Sequence, residues 1–136
     1  MRGLLDFLGN FDVSREIEDR RAQAKSRFEG QAVITATPHG ASYVETGALI
    51  MNDQRFVAQR QYHWREDAGQ ICVSFADGRP FHDFDPNTGG DATEHLCGND
   101  LYRGGYDFSQ WSCWEVTWTV QGPRKDYVST TWYVRR

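Results

Sequence analysis

A chain of 136 residues with a formal net charge of −4 fits one domain and can bury a real core. Acids and bases are mixed along it, so it lacks the basic stripe of a nucleic-acid binder, and no apolar run approaches the roughly 18 residues needed to cross a bilayer. Eight Phe, six Tyr and five Trp, with thirteen Gly and only four Pro, suit an aromatic-rich domain of many turns.

The N-terminal region has Leu4, Leu5, Phe7 and Leu8, but Asp6 interrupts them and neither a long apolar core nor a small-residue cleavage site follows. Three cysteines, Cys72, Cys97 and Cys113, form no CxxC pair, which indicates neither a structural zinc site nor a disulfide framework. Both features lead to the expectation of a cytoplasmic protein.

Residues 3–8 read as a short helix stopped by Gly9, so residues 1–10 are expected to be an N-terminal helix and residues 11–136 the rest of a single domain. Period-two patterning then takes over. Phe11, Val13, Arg15 and Ile17 share one face of a first strand. Residues 20–26 read as a solvated connection, with a helical turn around Ala22 and Ala24 as the alternative. Phe28, Gly30, Ala32, Ile34 and Ala36 alternate with polar residues, and Pro38-His39-Gly40 turns the chain.

The next stretch, Tyr43 to Trp64, folds as a hairpin closed by Asn52-Asp53. That closure sets Met51 opposite Gln54, Leu49 opposite Phe56, Glu45 opposite Arg60 and Tyr43 opposite Tyr62. One face then carries Tyr43, Leu49, Phe56, Tyr62 and Trp64 together with one acid and one base. An arginine on the aromatic face of a strand must be offset by a partner or a ligand.

Past a turn at residues 66–69, Ile71, Val73 and Phe75 continue the inward face, pairing with Trp64, Tyr62 and Arg60. Asp77-Gly78 is a hairpin signal. Pro80, His82 and Phe84 follow on the phase of Phe75. Residues 85–91 read as a flexible loop, residues 92–101 as a strand, Gly104-Gly105 as a break and residues 106–108 as a short strand. Trp114, Val116, Trp118 and Val120 alternate with Glu115, Thr117 and Thr119, and residues 127–134 form the last strand. Trp132 and Val134 fall on the phase opposite Tyr133. They read either as filler or as an outward apolar patch for a homodimer.

About nine short antiparallel segments at this spacing predict an all-β sandwich or barrel. Consecutive hairpins in one inward phase favour an up-and-down barrel of about eight to ten strands, which leaves room inside for side chains and one small ligand.

The inward polar residues are Glu45, Arg60, Tyr43, Tyr62 and His82, joined by His95, Cys97, Asp100 and Tyr102. Four readings of them stand side by side. Glu45 and Arg60 form a buried ion pair that fixes register. Alternatively Arg60, with Arg15, holds an anionic head group by its planar fork while Tyr43, Tyr62 and Trp64 wall an apolar body. His82, His95 and Cys97 have ligand chemistry for zinc, or a histidine for haem, although no spacing rule joins them. Finally, Glu45, His82 or Asp100 serves as acid or base, or Cys97 as a nucleophile beside His95. Neighbours two apart on a strand sit about 6–7 Å apart, which weakens that last pairing.

Several groups of residues carry a family resemblance: Arg27-Phe28-Glu29-Gly30, Tyr43-x-Glu45-x-Gly47-x-Leu49, Arg60-x-Tyr62-x-Trp64, Phe75-x-Asp77-Gly78-Arg79-Pro80-Phe81-His82, His95-x-Cys97-x-x-Asp100-x-Tyr102 and Gly122-Pro123-Arg124-Lys125-Asp126-Tyr127. From about Phe11 onward the chain resembles a small bacterial family of unknown function placed among lipocalin-like (calycin) barrels. The resemblance implies the barrel and supplies no reaction. Calycin barrels at large include carriers of apolar molecules, haem-binding barrels and a few enzymes such as phenolic acid decarboxylases; the Gly-x-Trp start motif of secreted lipocalins is missing here. The resulting expectation is a binder of a small, partly apolar, anionic molecule that needs no cofactor. Arg60 is its anchor, Glu45 orients Arg60, and Tyr43, Tyr62 and Trp64 form the wall. His82, His95, Cys97, Asp100 and Tyr102 add polar contacts. The competing expectation is a cavity isomerase, lyase or hydratase that moves a proton with His82, His95 or Glu45.

Overall fold

A computed structural model describes every residue from Met1 to Arg136. The alternating pattern becomes eleven strands: β1 (Gly9–Asp19), β2 (Ala24–Thr37), β3 (Gly40–Met51), β4 (Gln54–Asp67), β5 (Gln70–Phe75), β6 (Pro80–Phe84), β7 (Gly90–Asp91), β8 (His95–Cys97), β9 (Asp100–Asp107), β10 (Trp114–Gln121) and β11 (Asp126–Arg135). They form one antiparallel sheet in the order β6-β5-β4-β3-β2-β1-β11-β10-β9-β7, with β8 also on β9. First and last strands pair along their length, from Phe11 opposite Arg135 to Asp19 opposite Tyr127, and this curls the sheet into a nearly closed up-and-down barrel. At the seam, the Thr93 amide donates to the Asp83 carbonyl at 3.0 Å, and the Asp83 amide donates to Thr93 Oγ1 at 2.8 Å. Phe84 and Tyr106 stack across it with centroids 4.0 Å apart. The strand count exceeds the expected eight to ten because β7 and β8, of two and three residues, share one edge of β9.

The expected N-terminal helix is only a 3-10 turn, Leu4–Phe7. One turn is enough to drop Phe7 into the barrel end, where it meets Trp64, Phe84, Phe108, Trp111 and Trp114 edge-on, at 4.9 to 5.9 Å between centroids. Edge-to-face rings of this kind favour one another beyond simple area burial. Phe7, Phe11, Ile34, Ile71 and Phe84 are all essentially inaccessible, so this end is a solid aromatic plug. Strand direction places the turns after β1, β3, β5, β8 and β10 at the other end.

The hairpin β3–β4 has the register expected of it, pair for pair from Met51 opposite Gln54 to Tyr43 opposite Tyr62. Asn52 and Asp53 take φ of 49° and 64°, the backbone that a tight hairpin turn demands. Three local readings need correction. Val73 faces Trp64 and Phe75 faces Tyr62, so β5 is shifted by one inward pair from the expected register, and Arg60 has no partner on β5. The connection after β1 spans only residues 20–23, and Ala24 already begins β2. Residues 92–101 are not one strand: β8 turns at Gly98, at φ of 61°, into β9, which runs straight through Gly104-Gly105. Gly104 is there for closeness, because a Cβ would lie 2.7 Å from the Trp118 ring on the neighbouring strand.

The shift of β5 has a structural result. Pairing of β4 with β5 begins only at Tyr62, so residues 54–61 bond to β3 alone and leave a free edge beside the open end. No helix in the structure is long and apolar enough to cross a membrane.

Candidate functional site

The plug fills only part of the barrel. Above it lies a cavity of about 950 Å³, reaching from Trp64, Val73 and Trp114 to Met51 at the end of β3 and the turn residues Ala22, Arg79 and Gly98. That volume is at the upper end of the range for small-molecule pockets. The cavity collects Tyr43, Glu45, Arg60, Tyr62, Trp64, His82, His95, Cys97 and Tyr102, which the sequence placed together. Asp100 is not among its lining residues; it pairs with Lys125 at 3.3 Å.

Glu45 is the most deeply buried charge, 1% exposed, and its principal partner is Arg15 rather than Arg60. Arg15 Nη1 and Nη2 donate to the two carboxylate oxygens at 2.9 and 2.8 Å, a bidentate pair, while Nε donates to Thr131 Oγ1 at 2.7 Å. Tyr43 donates its hydroxyl to Glu45 at 2.6 Å, and the Tyr133 hydroxyl lies 2.7 Å from that of Tyr43. Burial pushes the Glu45 carboxyl up. The hydrogen bonds and charge of Arg15, the bond from Tyr43 and the charge of Arg60 outweigh it, leaving the group below its ordinary range. Burial likewise opposes the Arg15 charge, but Glu45 more than restores it. Burial, then the Glu45 charge, pushes Tyr133 up to about 12, and Tyr43 rises well above the ordinary tyrosine value. At neutral pH the cluster is therefore one carboxylate, one guanidinium and neutral hydroxyls, with charge balanced internally.

That balance frees Arg60. It lines the same cavity half-exposed, with Nε 3.9 Å from Glu45 Oε2, too far for a hydrogen bond. By contrast, Arg79 at the rim is held by Asp77 at 2.7 Å. Around Arg60 the wall is aromatic: Tyr43 stacks on Trp64, Phe75 stacks on Phe81, and Phe81 stacks on Trp118.

His82 belongs to the wall in a different sense. Its Nε2 bonds to the Tyr106 hydroxyl at 2.7 Å across the seam, Phe81 and Trp118 crowd its ring at 4.4 and 4.7 Å, and Nδ1 is buried without a partner. Burial, with a smaller push from the His95 charge, takes it down to about 3, so the imidazole is neutral. His95 packs among Phe75, Phe81 and Tyr102 nearer the mouth, and Cys97 is exposed at the rim. Nowhere do three or more His, Cys, Asp or Glu side chains converge as metal ligands.

Sequence reasoning missed Tyr133, Thr131 and Tyr106 as site residues. The signal for two of them was present: Tyr133 and Thr131 hold the inward phase of β11, opposite to Trp132 and Val134. The connection from Arg15 over β2 to Glu45 has no signal in local pairing, because β1 and β3 are separated by β2.

Fold and site together define a small antiparallel β-barrel with a polar, partly apolar cavity open at one end. The model of the family of unknown function DUF6314 matches residues 7–135, and the chain belongs to that family. No curated protein sequence matches it. The family match begins at Phe7, the residue that plugs the closed end.

Proposed function

We propose that this protein is a lipocalin-like, cytoplasmic carrier that binds a small, partly apolar, anionic molecule inside the barrel, with Arg60 as the head-group anchor. The observation that carries this reading is the contrast between the two lumenal arginines. Arg15 is neutralised by a bidentate carboxylate, whereas Arg60 faces the same cavity with its donors uncommitted. A guanidinium in an aromatic pocket of this size suits a carboxylate or phosphate with an apolar body. Tyr43, Tyr62 and Trp64 form the wall, and His95, Cys97 and Tyr102 lie toward the mouth. The free edge of β4, next to Arg60, offers a way in. The competing proton-transfer reading draws less support. Of its three candidates, His82 and Glu45 are each locked into one protonation state by burial and partners, the opposite of the near-neutral poise that acid–base catalysis favours, which leaves His95 as its remaining proton-transfer group.

Native mass spectrometry of freshly purified protein tests the proposal. A co-purified anionic small molecule, lost from Arg60→Ala while that variant keeps its melting temperature, is the expected result. Co-purification undiminished in Arg60→Ala overturns the role of Arg60.

A further inference from the structure

The deep polar cluster determines which hydrogen-bonding group a ligand can offer it. Glu45 is ionised and therefore only accepts. The single Tyr43 proton is committed to Glu45 Oε1 at 2.6 Å. The 2.7 Å contact between the two tyrosine hydroxyls must then be a donation from Tyr133 to Tyr43. The Tyr133 proton is also spent, and its oxygen has only lone pairs to offer. Chains of hydrogen bonds running one way polarise each other, so a hydroxyl that donates toward a carboxylate becomes a better acceptor. Tyr133 is a cavity-lining residue, and its ring is fixed by stacking on Trp114 at 3.7 Å and 6°. Three of the five Arg15 N–H groups are committed, Nε to Thr131 and one on each terminal nitrogen to its carboxylate oxygen; the two that remain leave the Tyr133 oxygen, whose own proton is spent, an acceptor. Tyr62 also lines the cavity, but its hydroxyl rotates to donate or accept and sets no requirement.

From this we infer that the ligand is a two-ended one: an anionic group at Arg60 and a hydrogen-bond donor, a hydroxyl or N–H, directed at the Tyr133 oxygen. The inference rests on the carrier reading of the cavity and adds the chemistry of the second end. The two anchors are close, since Arg60, Glu45, Tyr43 and Tyr133 are linked by successive contacts of 3.9, 2.6 and 2.7 Å. A molecule of short or medium length spans them. A ligand that only accepts at that end would face lone pair against lone pair and leave a desolvated acceptor unpaired.

The experiment uses matched acids that differ by one hydroxyl: octanoate with 8-hydroxyoctanoate, and 3-phenylpropanoate with 3-(4-hydroxyphenyl)propanoate. Binding to the full-length protein is measured by calorimetry for the wild type, Tyr133→Phe and Arg60→Ala. At least one pair is expected to bind the wild type with the hydroxylated member about tenfold tighter. Tyr133→Phe, which keeps the stacked ring, brings that ratio close to one, because the hydroxylated acid loses its acceptor and the unhydroxylated acid no longer leaves one unpaired. A preference that is absent in the wild type, or that survives in Tyr133→Phe, overturns the inference. If Tyr133→Phe removes the preference but Arg60→Ala weakens neither acid, the donor requirement stands and the head-group assignment fails. If no acid binds the wild type even at millimolar concentration, the carrier reading and the inference fall together.

Discussion

Arg15 and Arg60 face the same carboxylate from the same cavity, yet they are held differently. Replacing Arg15 with Met leaves Glu45 buried, 1% exposed, without its bidentate partner. Breaking a buried pair from one side costs about 3–5 kcal/mol. Arg60 is 3.9 Å from Glu45 and can move closer, so the lower part of that range applies, near 3 kcal/mol. For a domain of this size the loss lowers the melting temperature by roughly 10 °C. Arg60→Ala removes an exposed, loosely placed charge and costs about 1 kcal/mol or less. Arg15→Met combined with Glu45→Leu removes both charges and recovers most of the stability. Urea denaturation followed by tryptophan fluorescence reads all four proteins, since Trp64 and Trp114 are in the core. Equal losses in Arg15→Met and Arg60→Ala would refute the assignment, and so would a double variant less stable than Arg15→Met.

Acid should destabilise the protein through His82 before the carboxylates titrate. The folded group is depressed to about 3 and the unfolded one is near 6.5, so below pH 6.5 only the unfolded chain gains that proton. Stability falls as pH drops, by up to about 1.4 kcal/mol per unit; between pH 6 and 5 the slope should be visibly shallower in His82→Gln, measured by urea titration. Phe7→Ala empties the centre of the aromatic plug and should cost about 3–5 kcal/mol, seen as a lower urea midpoint. Gly104→Ala drives a methyl to 2.7 Å from the Trp118 ring and should cost about 1–3 kcal/mol, with a change in the near-ultraviolet signal of that tryptophan.

Sequence patterning exposes some parts of this molecule and hides others for definite reasons. The β3–β4 hairpin was legible because its turn closes the register and every later pair follows. The lumenal placement of Arg15 was legible from its phase with Phe11 and Val13, while its bond to Glu45 was not, since that bond depends on sheet curvature. Gly104-Gly105 looked like a break because glycine is ambiguous. Only the Trp118 ring over it shows that the missing side chain, not a bend, is what the strand needs there. The N-terminal segment has helical composition, yet its length is set by how far Phe7 must reach. The turn between β8 and β9 was hidden because only two residues, Gly98 and Asn99, separate the strands, so residues 92–101 read as one strand.

Residues 54–61 are tied to the rest of the sheet on one flank only. Strands pinned on one side fray at lower free-energy cost than those held on both. Arg55, Arg60 and the glutamines along that flank discourage other chains from zipping onto it. For the proposed carrier, filling and emptying the barrel would then need no global unfolding and no dedicated lid. A partial peeling of one ribbon suffices, while the Arg15–Glu45 clasp ties the neighbouring β3 to β1 over β2. Under that proposal, exchange of a guest is uncoupled from the stability of its container.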